Sequence, residues 1–276
     1  MTGLTDVQIE ELFQQSHNIL KKLDLSRANS SLAKIRLEFS SSNTDFGSID
    51  SQLKILVASA FAEFMERDIH AASCVVFYRP RINYAFSNNL NAVKKAINNK
   101  TLLQIVQDRA KARIVLDIIY KVFTRGGSTE QETFVGLCIF YMLLVDGLFG
   151  KNLKFCYVYD KLAKLKAVNP QEIYRMKISK IQEYFGIISD ALCLFEGYDE
   201  DIRNAIAHSS FYYDSNKKKM IFEERRKGIT KELTFQELRN LNTKMLNLDD
   251  LTIMITQLSK IRDGIVYARM NKLTKK

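Results

Sequence analysis

The sequence predicts an all-α protein, a helical bundle with one small β-hairpin. Three observations carry that reading. Apolar residues recur at helical spacing along most of the chain, only 2 prolines and 11 glycines interrupt its 276 residues, and strand-like alternation is confined to one stretch after His208. A hydrophobic content of 46% is that of an ordered chain able to bury a substantial core.

Val7, Leu12, Ile19, Leu20 and Leu23 mark an opening amphipathic helix, and the serine-rich residues 26–51 after it read as a polar connector. From Asp50 as N-cap, Leu53, Leu56, Val57, Ala60, Phe61 and Phe64 form a core-facing stripe. That helix is expected to run on to Pro80, whose missing N–H should stop it. Residues 88–123 are again helical in period, with a break expected between Asn98 and Thr101. "TRGGSTEQE", Thr124 to Glu132, is the best internal boundary, separating residues 1–125, additional N-terminal helices of no assigned role, from 126–276. Both parts can also belong to one compact unit.

The longest apolar run, Phe134 to Val145, is too short to span a bilayer and is closed by Asp146, so it is expected to be a core helix. Helices follow in "KNLKFCYVYDKLAKLKAV" and after Pro170, a good first helical residue. After His208, β-formers alternate around turn signals at "DSN" and Gly228, the pattern of a hairpin. Thr234 and Glu237 form a capping box that opens a closing helix, with Leu238, Leu241, Met245, Leu248, Leu251, Ile255, Leu258 and Ile265 along one stripe.

Lys and Arg number 41 against 31 Asp and Glu, a formal charge of +10, which favours polyanionic partners but equally fits solvated lysine-rich faces. Cys74, Cys138, Cys156 and Cys193 stand singly in apolar stretches, the distribution of reduced buried thiols and not of a zinc site or disulfide frame. The N-terminus lacks the pattern of a signal peptide, so a cytoplasmic protein without membrane attachment is expected. Phosphate-binding, dinucleotide-binding and zinc-protease signatures are missing, and no cofactor or metal is implied.

The stretch "DIRNAIAHSSFYYD", Asp201 to Asp214, carries the chemistry. Gly197 should interrupt the preceding helix, and Asp199, Glu200 and Asp201 give a capped, acidic first turn to a short new one. At 100° per residue Ile202 and Ile206 share one face, and Asn204 and His208 the opposite one, with Arg203 at its flank. A guanidinium and an imidazole suffice to cleave a phosphodiester without metal. Arg203 would hold the phosphate by paired charge-assisted bonds, His208 would take or give a proton, and Asn204 would orient either group. The internal nucleophile, a 2′-hydroxyl, restricts this chemistry to RNA. A structural reading competes: His208 favours a helix C-terminus, Arg203 pairs with Asp199 or Asp201, and Asn204 is simply solvated.

"RNAIAH" resembles the R-x4-6-H signature of the HEPN superfamily, including the small polar residue after the arginine. The acidic lead-in, "HSSFYYD", a basic hairpin and a long closing helix resemble stand-alone HEPN proteins of bacterial antiphage and toxin systems, over residues 133–260. That resemblance implies a helical bundle whose motif helices face each other across a homodimer, and a metal-independent endoribonuclease leaving 2′,3′-cyclic phosphate and 5′-hydroxyl ends. It assigns Arg203, Asn204 and His208 as catalytic and RNA as partner; since a free nuclease would be toxic, restraint by an antitoxin, a regulatory protein or the extra N-terminal region is expected. Its alternative is a non-catalytic HEPN-type binding module. One HEPN subgroup, paired with a nucleotidyltransferase antitoxin, continues the signature as H-x-Y; this chain has Ser210 there, against such pairing.

Two other clusters each admit a functional and a structural reading. Lys217 to Lys227 with Tyr212 and Tyr213 could track RNA, or be a solvated hairpin protected from aggregation. Glu63, Glu66 and His70 could form an acid/base or metal site, or an ion-paired surface face.

Overall fold

A computed structural model gives the architecture of the protein and describes residues 6–40, 45–123 and 129–274. These are mostly α-helical, with one three-stranded antiparallel sheet, so the all-α class is observed. The chain divides into two compact units, Met1–Val75 with Asp250–Lys276, and Val76–Asp249. The boundary expected at residues 124–132 falls partly on 124–128, outside the described residues.

The first unit holds α1 (Asp6–Lys22), α2 (Ser26–Phe39), α3 (Phe46–Met65), the start of α4 (Ile69–Asn88) and the later part of α12 (Phe235–Thr274). The serine-rich connector is thus largely a helix. Ala28, Leu32 and Ile35 supply its buried stripe, while Leu25 at the N-cap offers no side-chain cap. The cap comes from α3. Glu63 accepts hydrogen bonds from the backbone N–H of Arg27 at 2.7 Å and Ala28 at 2.9 Å and from the Ser26 hydroxyl at 3.1 Å. Burial works against this carboxylate, but the donors outweigh it and hold its pKa below the usual range. Glu66 pairs with Arg27, and His70 is buried with Nε2 3.6 Å from the Cys74 sulfur. Glu63 therefore serves as the helix cap and Glu66 as the ion-pair partner of Arg27 beside it.

Two helix limits differ from expectation. α3 starts on Asp45, which accepts from the Gly47 N–H, and ends at Met65; α4 restarts where Asp68 accepts from the Ala71 N–H at 2.6 Å. Pro80 lies inside α4. The carbonyl it leaves without a donor is that of Val76, which is 58% exposed, so water can take the bond. Phe13, Leu20, Ile35, Leu56 and Phe64 are buried in this unit with Leu251, Ile255 and Ile261 of α12, and the Gln257 amide donates to the buried Ser16 hydroxyl at 2.6 Å.

The second unit contains α5 (Leu90–Ile97) and α6 (Lys100–Phe123), broken where expected, then α7 (Glu130–Leu143), α8 (Gly150–Ala163), α9 (Pro170–Arg175), α10 (Ile178–Phe185) and α11 (Glu200–Ala207). Thr129 and Glu132 cap α7 by a capping box, and Thr234 and Glu237 cap α12 in the same way. The apolar run does not stop at Asp146. Leu144–Phe149 form a π-helical turn that joins α7 to α8, giving a helix of 34 residues. By length and composition this helix could cross a membrane, and half of its apolar window is buried inside the protein. The turn leaves Asp146 half exposed, which is why an acid is tolerated there.

The expected hairpin is β1 (Phe211–Asp214) with β2 (Lys219–Glu224), and a third strand, β3 (Ile229–Leu233), joins it after Gly228, whose φ is +65°. Phe211 faces Phe222, and Met220 faces Leu233. All four cysteines are buried and unbridged. Burial pushes the Cys138 thiol up to about 12, and Cys156, beside the Tyr78 hydroxyl, is raised as well.

Candidate active site

The motif helix α11 is eight residues long, too short to persist alone, and is held at both ends. Asp199 accepts from the N–H groups of Asp201 and Ile202, the predicted cap. The Tyr141 hydroxyl accepts from the Asp199 N–H at 2.8 Å, and Lys231 of β3 reaches the Asp199 carboxylate at 2.6 Å and that of Asp201 at 2.9 Å. Lys227 bridges Asp201 at 2.8 Å and Glu200 at 3.0 Å. These lysines are raised: Lys227 by Asp201 and then Glu200; Lys231 because both aspartates outweigh its burial. The acidic first turn is thus matched by two ammonium groups of the sheet, Lys231 on β3 and Lys227 in the turn before it.

At the other end His208 is the C-cap. Ser209 takes the left-handed conformation at φ +52°, its N–H donates to the Ile206 carbonyl, and the Ser210 N–H donates to that of Ala205 at 2.8 Å, a Schellman ending without glycine. Ser210 is buried and donates its hydroxyl to the Glu223 carbonyl at 2.7 Å. Ile202, Ala205 and Ile206 are buried, as the helical wheel requires. Gly197 is needed for close approach: a Cβ there would meet the Met245 side chain at 2.8 Å and the Leu241 carbonyl at 2.9 Å.

Arg203 and Asn204 meet. The Arg203 guanidinium donates to Asn204 Oδ1 at 3.2 Å and to both oxygens of Asp146, at 3.3 and 3.5 Å. They open onto a cleft of about 420 Å³ that Asp146, Lys151, Lys154, Lys177, Tyr198 and Glu200 also line. Lys151 and Lys154 are pulled down mainly by burial, Lys154 also by the charge of Lys151. His208 is exposed and lines no part of this cleft. Within one chain, two of the three predicted residues converge and the imidazole stands apart.

The chain matches no family model, no curated protein and no solved structure.

Asp146, Lys151, Lys154 and Lys177 were not predicted as site residues. Asp146 gave one signal, a carboxylate closing an apolar run; the lysines resembled any solvated helix face. Much of the basic hairpin is internally paired, Lys217 and Lys219 with Glu232 and Lys227 with α11, while Tyr213 donates to Glu130 and stacks on Phe134. Tyr212 remains 53% exposed. Among the described residues no group of acidic, histidine or cysteine side chains is arranged to hold a metal ion.

Proposed function

We propose that the protein is an endoribonuclease of the HEPN type, acting as a toxin or antiphage effector. One observation carries the reading: the adjacent guanidinium and amide of Arg203 and Asn204, at 3.2 Å, open onto a lysine-lined cleft from a short helix that ends on an exposed histidine. Arg203 and Asn204 seat the scissile phosphate. His208 takes the 2′-hydroxyl proton, the P–O2′ bond forms as the P–O5′ bond breaks, and the imidazolium returns a proton to the leaving 5′-oxygen. The products are a 2′,3′-cyclic phosphate and a 5′-hydroxyl. Because His208 stands apart from the cleft of its own chain, each cleft is completed by the motif helix of a second copy in a homodimer. A restraining antitoxin or regulatory protein belongs to the same reading.

The test is incubation of wild type and His208→Ala with total cellular RNA in EDTA, followed by end mapping. Wild type should leave cyclic-phosphate ends, and the variant should cleave about 10²-fold or more slowly while binding RNA within a few-fold of wild type. Equal cleavage by both would remove His208 from the chemistry.

The ion pair of Arg203 with Asp146 favours a second reading, a non-catalytic binding module, since a paired guanidinium also serves structure. RNA bound but left intact by wild type, with or without added divalent metal, would select it.

A further inference from the structure

The cleft beside Arg203 holds more positive charge than one phosphate requires. Of its two lining carboxylates, Asp146 faces Arg203 and Glu200 is drawn to Lys227 at 3.0 Å. Among the described residues the three lysines of the cleft have no carboxylate within ion-pair distance. Lys151 donates to the Asp146 and Gly147 carbonyls, at 3.3 and 2.6 Å, and Lys154 to the Tyr174 carbonyl at 2.6 Å. The Lys177 carbonyl accepts from the N–H groups of Lys180 and Ile181, but its ammonium has no hydrogen-bond or ion-pair partner among the described residues and its side chain makes no cap to α10. Neutral carbonyls orient an ammonium without neutralising it, and although Asp108 and Asp146 act on Lys151 through space, burial outweighs them.

The first two lysines are fixed and partly buried, and burial already disfavours their charge. An anion entering the cleft would relieve that cost. The volume, about 420 Å³, exceeds what the group at Arg203 alone would fill and falls in the range of a nucleotide-sized ligand.

We infer that the cleft is a second phosphate subsite, in which Lys151, Lys154 and Lys177 hold the phosphodiester next to the scissile one on the same RNA strand. This rests on the nuclease reading for the identity of the strand. The substrate is then a single-stranded RNA engaged through two consecutive phosphates, one at Arg203 and Asn204 and one at the lysines. Lys177, exposed and with an unengaged ammonium, supplies the direct contact. Lys151 and Lys154 supply fixed field.

The test uses the full chain and uncleavable 2′-deoxy oligonucleotides of two and three nucleotides, with one and two internucleotide phosphates, titrated by calorimetry at several salt concentrations. The longer probe should bind wild type about tenfold more tightly. Lys177→Gln should remove most of that gain and flatten its salt dependence by about 0.7 in log–log slope, one single-strand phosphate contact, and Lys177→Arg should keep both. Absence of the gain in wild type, or a gain unchanged in Lys177→Gln, would sink the subsite. Inorganic triphosphate binding more tightly than the longer probe, with the same Lys177 dependence, would reassign the cleft to a free polyphosphate. All-ribose trinucleotides run in parallel separate the two claims. His208-dependent cleavage without a Lys177-dependent gain leaves the nuclease and removes the subsite, and the reverse leaves a strand-binding cleft without the nuclease.

Discussion

At the scale of single residues, the guanidinium of Arg203 is shared between an amide and a carboxylate. Asn204 is adjacent in sequence and is reached by the bend of the long arginine side chain, not by helical spacing, whereas Asp146 lies 57 residues away and no local pattern joins them. The pair is partly exposed, and such pairs are worth at most about 1 kcal/mol. Asp146→Asn should therefore strengthen RNA binding at low salt by up to about fivefold. Fluorescence anisotropy with a labelled single-stranded RNA measures this, and weaker binding would mean that Asp146 orients Arg203 and does not compete for it. The placement of His208 was legible, since four residues after Asn204 and past the last buried position it had to fall at the exposed end of the helix. The strain next to it was not legible. Ser209 sits at φ +52°, so Ser209→Gly should stabilise the fold by roughly 1 kcal/mol, read as a raised urea midpoint.

Among elements, the decisive tie is between the first turn of α11 and the sheet, through the β2–β3 turn and β3. Lys227 foremost, then Lys231, holds the Asp201 carboxyl below its ordinary value. A depressed carboxyl contributes stability above its unfolded pKa and loses it as pH falls through the folded one. The tie is thus complete at neutral pH, begins to weaken as pH falls below about 4, and is lost through the still lower folded value. In urea titrations from pH 6 to pH 3, Asp201→Asn should lose less stability than wild type; parallel profiles would mean that the tie contributes nothing. The sequence disclosed the cap at Asp199 and the box at Thr234 because each is written within four residues. It concealed α2, whose cap is Glu63 from another helix, and it misjudged Pro80, whose orphaned carbonyl belongs to the exposed Val76. Local spacing records what a residue does to its own turn; it carries nothing about donors brought from far along the chain.

For the whole molecule, the first unit draws on both ends of the chain, Met1–Val75 and Asp250–Lys276, a pairing that no local periodicity encodes. The composite site of the proposed nuclease requires two copies. Sedimentation equilibrium should return twice the chain mass of 31.8 kDa, and a monomer at micromolar concentration would leave each cleft without its imidazole. The buried thiols bear on a different property, the order in which the molecule comes apart. Cys74 lies in the first unit and Cys138, Cys156 and Cys193 in the second, all shielded from solvent. A buried thiol is inert to alkylation until its surroundings open, so under mild denaturant each cysteine acts as a clock on its own neighbourhood. If Cys74 is alkylated first in a mass-spectrometric time course, the unit made of the chain ends yields while the one bearing Arg203 persists; if all four react together, the two units unfold as one.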